Sequence, residues 1–473
     1  MSVVYNNSNI KTILSKGEKD DIECYGWVKT LRESSSELGF CNINDGSNVD
    51  GLQIVISIEK MNHSKIEHFF STVKLGCYLT CVGNIIKSPA KGQEYEMQLI
   101  DFTSSSHIDE QYPLCKSKMN LDTLRNHIHF RGRTNTFGSV FRIRSSLSKI
   151  LHDFYHEKGF LHLDPNIITV NECEGGAGVF QITENNLGNL SKLPQQNNFY
   201  DWTKDHFCKP TYLTVSSQLQ LEAMACSLGN VYTTNKSFRS EHSSTSKHVS
   251  EFTHLEIEMV NNTLDDLMDI SEEMIKYSIM RIFKTNKEDI DNLSSFVSKD
   301  LNKNLEGITT CTFKRLFYKD AIREINNDIK NKKIKVAPIQ FGDDLSSEHE
   351  NYITQKYNCP VFITHWPFDI KSFYMKQNDD GTCDSFDLLM PFGIGELIGA
   401  SQRECDYSKL LSAMSKKNVP FSGLEFYIDL RKYGTCPHGG FGLGFDRLVM
   451  LMTGMKNIKD TMPFPVYYKS CNY

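Results

Sequence analysis

The sequence predicts an α+β protein, in which a small N-terminal β-barrel precedes a larger domain built from an antiparallel sheet flanked by helices. Three observations predict this fold. Short stretches of alternating apolar and polar residues follow one another from Ile22 to about Phe102. Apolar residues recur at helical spacing over 137–160. The remaining chain alternates strand-like with helix-like segments, and the helix-like segments include 264–283 and 312–330.

The barrel is predicted by several short strands at close spacing. They include Ile22–Leu31 and Gly51–Ile58, and the turn Asn44-Asp-Gly-Ser separates two of them. Ser104-Ser-Ser, Pro113 and charged residues then suit a hinge. We therefore assign residues 1–103 to the barrel, 104–130 to the hinge and 131–473 to the second domain.

The second domain is predicted to begin with a long helix. Phe141, Leu147, Ile150 and Phe154 lie on one face of it, and Gly159 then turns the chain into a strand. Further along, residues 287–304 are rich in Asn, Asp, Lys and Ser. We expect this polar stretch to be a solvated connection between elements.

Size and charge limit the function classes. A chain of 473 residues can form two or three domains and bury a large active site. The net charge of −6 and pI near 6.2 exclude a surface that binds polyanions everywhere, although a local basic face can still hold RNA.

The 14 cysteines form no paired Cys-x-x-Cys sets, so we expect reduced, mostly buried thiols. We find neither a leader nor a membrane-spanning run, and we expect a cytoplasmic protein.

Residues 238–258 combine side chains that suit a nucleoside triphosphate. They alternate like two strands around a polar turn. Arg239 can pair with a phosphate, Glu241 can accept from an exocyclic amine, and Phe252 can stack on a base. Each of these residues alone is more often a surface ion pair or a core aromatic, so the prediction depends on the combination.

A second segment, Gly440-Phe-Gly-Leu-Gly-Phe-Asp-Arg447, lies far downstream. Its glycines allow a ligand to approach the backbone, and Arg447 falls just inside a predicted helix. Between the two segments the chain reads Gly-Glu-Leu-Ile-Gly-Ala-Ser-Gln-Arg over 395–403. Together the three stretches predict one nucleotide site assembled from distant parts of the sequence.

These segments resemble motifs 2 (about 238–258) and 3 (about 439–452) of the class II aminoacyl-tRNA synthetases, in the aspartate, asparagine and lysine subgroup. The helix, strand and proline of about 137–165 resemble motif 1. The strands after Asn44 resemble the OB-fold anticodon-binding domain of this subgroup. Within the subgroup the chain is similar to the asparaginyl members, from about Tyr25 to its C-terminus.

The resemblance implies a ligase that activates L-asparagine with ATP and transfers the asparaginyl group to the 3′ end of tRNA(Asn), releasing AMP and pyrophosphate. It also implies a homodimer formed through motif 1. Transfer to the tRNA in this class proceeds by positioning of the substrates, without a covalent enzyme intermediate. We therefore expect no nucleophilic cysteine or serine, and no membrane partner.

The resemblance assigns the ATP contacts. Arg239 grips the α-phosphate, and Arg447 covers the adenine and reaches the γ-phosphate, so these two are the expected catalytic residues. Phe252 supplies the opposite stacking face. Glu241, which can accept from the exocyclic amine, is a further expected ATP contact, and His248 on the turn can meet either a phosphate or the tRNA acceptor end. Asp387 and Glu396 match two acidic ligands of Mg²⁺, an ion that prefers oxygen donors and keeps several waters. The chain departs from the family at Lys247, where arginine is common; lysine keeps the charge but loses the bidentate fork.

Five positions bear on the amino acid. The resemblance implies that Glu174 and Gln218 hold the α-ammonium group and that Arg403 donates to the side-chain oxygen. Aspartyl enzymes carry a lysine that pairs with the substrate carboxylate, and this chain has Leu221 there. Glu256 stands where those enzymes have aspartate, and it can accept from an amide while repelling a second carboxylate. These differences predict asparagine rather than aspartate.

In the barrel, Phe40, Gln53 and Glu96 match positions that contact the middle anticodon base. An aromatic ring, an amide and an acid can stack on an unpaired uracil and read its edge. Phe40 suits the barrel core equally well. Likewise, His438 either lines the amino-acid pocket or has only a structural role.

Two other functions fit part of the sequence. An ATP-dependent asparagine synthetase shares this catalytic fold in some lineages, but the predicted barrel argues against it. A catalytically silent RNA-binding or regulatory homologue is disfavoured because the nucleotide-site residues are all retained. Pyrophosphate exchange with asparagine, aspartate and lysine would separate these possibilities.

Overall fold

The computed structural model describes residues 9–104, 108, 109, 111–114, 119–171 and 178–473. The chain divides into two compact units, one made of residues 1–142 and 287–296 and the other of residues 143–286 and 297–473. No helix among the described residues is both long enough and apolar enough to cross a membrane.

The α-helices of the described residues are α1 (Ile10–Ser15), α2 (His63–Thr72), α3 (Leu121–Arg125), α4 (Ile128–Arg131), α5 (Asn135–Glu157), α6 (Gln218–Leu228), α7 (Leu264–Thr285), α8 (Lys287–Phe296), α9 (Leu301–Thr310), α10 (Tyr318–Lys330), α11 (Ser347–Tyr357), α12 (Tyr407–Lys416), α13 (Glu425–Lys432) and α14 (Phe445–Thr453). The strands are β1 (Lys19–Ser35), β2 (Leu38–Asn44), β3 (Leu52–Ser57), β4 (Tyr78–Lys87), β5 (Tyr95–Ser104), β6 (Leu161–His162), β7 (Ile168–Thr169), β8 (Gln181–Ile182), β9 (Gln195–Gln196), β10 (Phe199–Tyr200), β11 (Thr211–Leu213), β12 (Val231–Phe238), β13 (Glu251–Val260), β14 (Lys314–Phe317), β15 (Val361–Thr364), β16 (Ser385–Met390), β17 (Gly395–Gln402) and β18 (His438–Gly444).

The first unit contains the predicted barrel. Its five strands close in the order β1-β2-β3-β5-β4, and α2 lies between β3 and β4 in the chain. Successive side chains of a strand point to opposite faces, so alternate residues fill the interior. Cys41 and Ile43 of β2 and Ile54 and Ile56 of β3 are fully buried there, together with Phe69 of α2. Burying each such aliphatic side chain stabilises the fold by roughly 1.5–3 kcal/mol.

The second unit is organised around one large sheet. Its eight strands run in the order β14-β15-β16-β17-β18-β13-β12-β6. All neighbours are antiparallel except the pairs β14 with β15 and β12 with β6. An apolar core that includes Trp366, Tyr318 and Tyr427 packs helices against this sheet. The predicted α+β fold, with helices flanking a mostly antiparallel sheet, is confirmed.

The segment that resembles motif 1 forms a helix and a strand, as predicted. Helix α5 ends at Glu157, and Gly159 adopts a φ of +79°, a left-handed conformation in which glycine carries no steric penalty. This turn leads into β6, which pairs in parallel with β12 at the edge of the sheet.

Two expectations about the middle of the chain were wrong. Residues 312–330 do not form a single helix, because 314–317 pair with β15 and the helix starts at Tyr318. Residues 287–304 are not a solvated connection but lie largely in α8 and α9. The apolar residues Ile290 and Leu293 of α8 and Leu301 and Leu305 of α9 are buried and recur at helical spacing.

Candidate active site

One face of the large sheet has little side-chain cover at its centre. Cross-strand pairing places Glu256, Gly442, Gly399 and Asp387 in one row on this face. A side chain at Gly442 would collide with the His254 ring, because an added Cβ would lie 2.5 Å from Nε2. The neighbouring row contains Glu258, Gly440 and Ser401. These glycines leave a trough whose walls carry acidic and basic groups.

A cavity of about 150 Å³ opens at one end of this trough. Six of the seven predicted ATP residues line it: Arg239, Glu241, His248, Phe252, Glu396 and Arg447. The seventh, Asp387, lies on the same face of the sheet. The structure therefore brings together residues that are up to 208 positions apart in the sequence, as the spacing of the motifs predicted.

Arg239 does not lie in a strand. Strand β12 ends at Phe238, so Arg239 opens the loop that leads to β13, and its backbone N–H donates to the Ser250 carbonyl at 3.0 Å. Its guanidinium carbon is 5.4 Å from the centroid of the Phe252 ring, a cation–π distance. The two predicted ATP contacts therefore lie side by side.

His248 lies in the same loop and faces Glu241, with Nε2 and Oε2 3.9 Å apart. Burial lowers the pKa of His248, and the nearby charge of Arg447 lowers it further, against the opposing effect of Glu241. The imidazole is therefore neutral at pH 7. A neutral ring can donate to a phosphate oxygen or accept from a hydroxyl.

Arg447 is the third residue of α14, as predicted, and its Nη1 donates to the Glu396 carbonyl at 2.5 Å. The preceding residue, Asp446, is buried and fixes the start of the helix. Its carboxylate accepts from the Thr253 backbone at 2.9 Å and from the Arg144 guanidinium. The sequence prediction missed this anchor, which ties the segments resembling motifs 2 and 3 to each other.

The two predicted magnesium ligands face the same space. A point 3.2 Å from Glu396 Oε1 and 3.8 Å from Asp387 Oδ1 lies above Gly399, where a side chain would begin. Burial raises the pKa of Asp387 to about 7, and the charge of Glu396 adds to this against the opposing ammonium group of Lys371. Burial and Glu396 also raise the pKa of Glu350 to about 7. Carboxylates crowded in this way favour a bound cation.

Arg403 follows Ser401 by two residues, directly after β17. It is almost fully buried, and its guanidinium is held by several acceptors. It donates to Glu258, with Nε 3.1 Å from Oε1 and Nη2 also in contact. Its Nη1 donates to Ser401 Oγ at 2.7 Å, and Glu222 lies 3.7 Å from Nε. A buried arginine held in this way presents a fixed cationic surface to a ligand.

Glu222 is the centre of a second buried group. Its Oε2 accepts from Arg431 Nη2 at 2.9 Å and lies 3.0 Å from His438 Nε2. Burial alone would raise the pKa of Glu222, but Arg431, His438 and Arg403 together lower it. The pKa of His438 rises to about 10, since hydrogen bonds to Cys405 and Glu222 and the carboxylate charges outweigh its burial. His438 is therefore a charged member of this network.

The other predicted amino-acid contacts are near this network. Gln218 Nε2 donates to Glu222 Oε1 at 2.9 Å. Glu256 accepts from the Ser217 backbone at 2.9 Å, and its role towards a substrate amide stays a prediction. Leu221 is buried against apolar neighbours. Glu174 lies outside the described residues.

Sequence reasoning missed Glu222, Glu258, Arg431 and Lys371 as members of the site. Glu258 could have been found, because it follows Glu256 by two residues in a predicted strand and so shares its face. Glu222 could also have been found, since it lies four residues after Gln218 on a helix. Arg431 and Lys371 give no such signal, because their partners are distant in the sequence.

Strand pairing places the predicted anticodon residues on one face of the barrel sheet, where Glu96 is buried and its carboxylate accepts from Ser88 and Gln93. Phe40 of β2 pairs with Val55 of β3, and Gln53 lies two residues before Val55. Val55 also pairs with Gln98 of β5, and Glu96 lies two residues before Gln98. Residues two apart on a strand point to the same face, so the three side chains share one face. Phe40 is half-buried and is not part of the barrel core, which settles its alternative interpretation. The Arg32 guanidinium lies 5.3 Å from the centroid of its ring.

Comparisons with known proteins place the chain in a family. The family described as tRNA synthetases class II (D, K and N) matches residues 120–467. The asparagine–tRNA ligase of Bacteroides fragilis is 40% identical over 442 residues, which is 93% of each chain. That of Clostridium tetani is 39% identical over 97% of each chain.

Two solved structures are similar over nearly the whole chain. The asparaginyl-tRNA synthetase from Pyrococcus horikoshii complexed with asparaginyl-adenylate has a TM-score of 0.84 and 26% identity, covering 98% of this chain and 99% of that one. The Entamoeba histolytica asparaginyl-tRNA synthetase in complex with asparaginyl-adenylate has a TM-score of 0.79 and 26% identity, covering 95% and 96%. The family match, the curated relatives and the shared fold lead to one conclusion: the chain belongs to the class II tRNA synthetases of the D, K and N group.

Proposed function

We propose that this chain activates L-asparagine with ATP to asparaginyl-adenylate and transfers the asparaginyl group to the 3′ end of tRNA(Asn), releasing AMP and pyrophosphate. The curated relatives named as asparagine–tRNA ligases support this activity. So do the similar structures that hold asparaginyl-adenylate. The observation that carries the amino-acid assignment is the charge balance around Arg403.

The cations near this pocket already have carboxylate partners. Arg403 lies against Glu258, while Arg431 and His438 lie against Glu222. Among the described residues of this pocket no cation lacks a carboxylate partner, so an aspartate side chain would bring in a further, uncompensated negative charge, which is costly in a buried site. An asparagine amide brings no charge and can donate to a carboxylate and accept from a guanidinium. Leu221, which stands in place of the aspartyl lysine, supports the same choice.

In the activation step, the asparagine carboxylate attacks the α-phosphorus of ATP in line with the departing pyrophosphate. The protein contributes position and charge rather than covalent chemistry. Arg239 would neutralise the α-phosphate, while Arg447 would cover the adenine. Phe252 would stack on its other face. The sheet trough beneath them lets the adenylate lie close to the backbone.

Asp387 and Glu396 would hold Mg²⁺. Their fit rests on the two carboxylate oxygens that face one space above Gly399 and on the burial that raises the pKa of Asp387. When bound, the ion would neutralise phosphate oxygens and help to orient the triphosphate.

Four further properties complete the proposal. Residues 1–103 would form the anticodon-binding domain, with Phe40, Gln53 and Glu96 reading the middle base, and residues 131–473 would form the catalytic domain. The helix and strand that resemble motif 1 would join two copies into a homodimer. Glu174 would hold the α-ammonium group with Gln218. The protein would work in the cytoplasm.

Pyrophosphate exchange tests the proposal directly. We expect ATP–pyrophosphate exchange with asparagine and a specificity constant for aspartate about 10⁴-fold lower, the range reached when the polar groups of a buried site are left unpaired. Lysine should be inactive. Comparable specificity constants for asparagine and aspartate would refute the charge argument.

The same assay separates the rival functions. Release of free asparagine that depends on ammonia would instead indicate an asparagine synthetase. Absence of exchange with all three amino acids, from a protein that still binds tRNA, would indicate a regulatory homologue. Charging of tRNA(Asn) transcript by the wild-type protein is the positive control for the second half-reaction.

A further inference from the structure

A second cavity, of about 580 Å³, lies on the other face of the large sheet from the trough. Gln402 lines it, and because Gln402 directly follows Ser401 in β17, its side chain points to the opposite face of the strand. The start of α7 and the ends of β14 and β15 supply further walls. Cavities that bind small molecules typically have volumes of roughly 300–1,000 Å³. The second cavity is therefore large enough for a small molecule, and it shares no described lining residue with the cavity of the ATP residues.

Two buried amides in the second cavity have no complete set of partners among the described residues. Asn262 is 7% exposed and Gln402 is 6% exposed. Neither Nδ2 nor Oδ1 of Asn262 makes a hydrogen bond within the described part of the chain, and the same holds for Gln402 Nε2 and His365 Nδ1. Burying a polar group without a partner costs free energy, and such groups are rare in folded proteins. Several of them in one cavity indicate a ligand that supplies the partners.

The fold does not use the Asn262 amide. Asn262 lies between the end of β13 and the start of α7. Thr263 caps the helix instead, because its hydroxyl accepts from the Asp266 backbone and its own backbone donates to the Asp266 carboxylate at 2.8 Å. The Asn261 backbone, at a φ of +54°, donates to the Pro437 carbonyl at 2.7 Å. The turn is therefore complete without the Asn262 side chain, whose amide is left to bind something else.

Two aromatic rings line the same cavity. His365 has a φ of +58°, a left-handed conformation that a residue other than glycine rarely adopts and that is often found at ligand sites. The centroid of its ring lies 4.7 Å from that of Phe317. Phe317 is 45% exposed, which is high for a phenylalanine. Exposed rings of this kind offer a surface on which a flat heterocycle can stack.

The arginine and the lysine at this cavity already have carboxylate partners. Arg315 Nη1 donates to Asp265 Oδ1 at 2.6 Å, and its Nη2 donates to Asp269. Lys376 Nζ donates to Asp384 Oδ2 at 2.8 Å. Three carboxylates thus face two cationic side chains, so a phosphate would meet net negative charge. The second cavity therefore favours an uncharged ligand.

The unpaired atoms match a nucleobase. They include two amide donors and one amide acceptor, whereas adenine carries one amino donor and has ring nitrogens that accept on two of its edges. An asparagine amide can bind the amino group of adenine and the adjacent ring nitrogen together. We propose that the second cavity binds an uncharged adenine nucleoside, with Asn262 and Gln402 bonded to the base and Phe317 and His365 against its ring. The proposal does not depend on which amino acid the enzyme activates.

Equilibrium dialysis of the full chain with labelled adenosine tests the site. Saturating ATP and Mg²⁺, without amino acid, compete for the first cavity, so adenosine that remains bound is in another site. We expect one adenosine per chain with a Kd of about 0.1 mM, the affinity that ordinary ligand efficiency gives a molecule of this size. AMP and uridine should each bind at least about 10-fold more weakly, because AMP adds negative charge and uridine has the smaller stacking surface. No adenosine binding in the presence of ATP, or equal binding of AMP or uridine, would overturn the proposal.

Variants assign the bound adenosine to the second cavity. Asn262→Leu and Gln402→Met each remove an amide with little change in volume and should weaken adenosine binding at least about 10-fold. Asn327→Leu, at an exposed asparagine of α10 outside the cavity, should bind like wild type.

Thermal unfolding without nucleoside separates a binding role from a structural one. Asn262→Leu should unfold at a temperature no lower than wild type, because its amide has no described partner to lose. A lower unfolding temperature, or unchanged adenosine affinity in either cavity variant, would contradict the assignment. The wild-type dialysis needs no variant, so a variant that fails to fold leaves that test standing.

Discussion

Lys371 Nζ donates to Asp387 Oδ2 at 2.6 Å, so an ammonium group occupies one side of a carboxylate that we assign to magnesium. The same Nζ lies 4.1 Å from the centroid of the Trp366 ring, which holds the lysine in place from behind. Burial and Glu396 raise the pKa of Asp387, and this ion pair opposes them. Lys371 therefore helps to keep the carboxylate ionised, as the proposed role of Asp387 as a magnesium ligand requires.

Asp387→Asn should sharply raise the Mg²⁺ concentration needed for pyrophosphate exchange and lower the maximal rate about 100-fold, because one anionic ligand is lost and Lys371 loses the carboxylate to which it donates. The measurement is exchange rate against Mg²⁺ concentration. Asp384→Asn is the matched control, since Asp384 pairs with Lys376 instead. An unchanged magnesium requirement would remove Asp387 from the metal site.

Arg239→Ala should reduce adenylate formation by about 100- to 1,000-fold, the loss expected when a donor to developing charge is removed. The fold should survive, because Arg239 lies in a loop that borders the cavity rather than in the apolar core. Exchange kinetics and thermal unfolding measure the two effects. Lys236→Ala removes a nearby exposed cation that pairs with Glu251 and should behave like wild type. Wild-type exchange by Arg239→Ala would exclude the phosphate contact.

Glu222→Gln should destabilise the protein by about 3–5 kcal/mol, since Arg431 and His438 would remain buried without their carboxylate. Urea unfolding of the variant gives this free energy. Glu273→Gln breaks an exposed pair with Lys158 and should cost about 1 kcal/mol or less. If Glu222→Gln lowers the free energy of unfolding no more than Glu273→Gln does, Glu222 does not hold the buried network together.

The stability of the protein should fall as pH rises from about 6.5 towards 10. The folded state raises the pKa of His438 from 6.5 to about 10, so it binds this proton more tightly than the unfolded chain does. The contribution of this proton to the free energy of unfolding is complete below pH 6.5 and is lost as the pH rises through the folded pKa of His438. Urea midpoints across this range measure the fall, and His438→Gln should show a smaller one. Equal pH dependence in both proteins would show that His438 is not the titrating group.

Phe40→Ala should raise the KM for tRNA about 10-fold, because one stacked base contributes about 1–3 kcal/mol. Pyrophosphate exchange, which needs no tRNA, should stay unchanged. Aminoacylation with tRNA(Asn) transcript measures the first effect. Cys41→Ala, which alters the neighbouring core position instead, tests whether barrel packing alone weakens tRNA binding.

The sequence predicted the fold class, the barrel and a group of residues that line one cavity because each leaves a local signal. Strand alternation, helical spacing and short motifs are all visible within about 20 residues. It could not predict β14, since Lys314–Phe317 becomes a strand only by pairing with Val361–Thr364. Nor could it predict helices α8 and α9, whose apolar residues are sparse. For example, Asp289 of α8 accepts a hydrogen bond from Arg142 at 2.9 Å, and because Arg142 lies 147 positions earlier, this contact leaves no local signal in the sequence.

The amino-acid pocket was predicted less completely for the same reason. Arg403 was found by resemblance, but its partners Glu258 and Glu222 lie 145 and 181 positions earlier. Which acid faces a buried cation depends on strand register and helix phase, and these are set by packing of the whole sheet.

The distance between these partners along the chain affects how activity arises during synthesis. Glu222 meets His438 only after 216 residues have been joined, and the wall of the nucleotide cavity is incomplete until Arg447 has been made. Closing such long loops is slow, and partly made domains do not bind the ligands that stabilise the native state. A ribosome-bound fragment that stops before β18 should therefore be catalytically silent and exposed to aggregation or proteolysis.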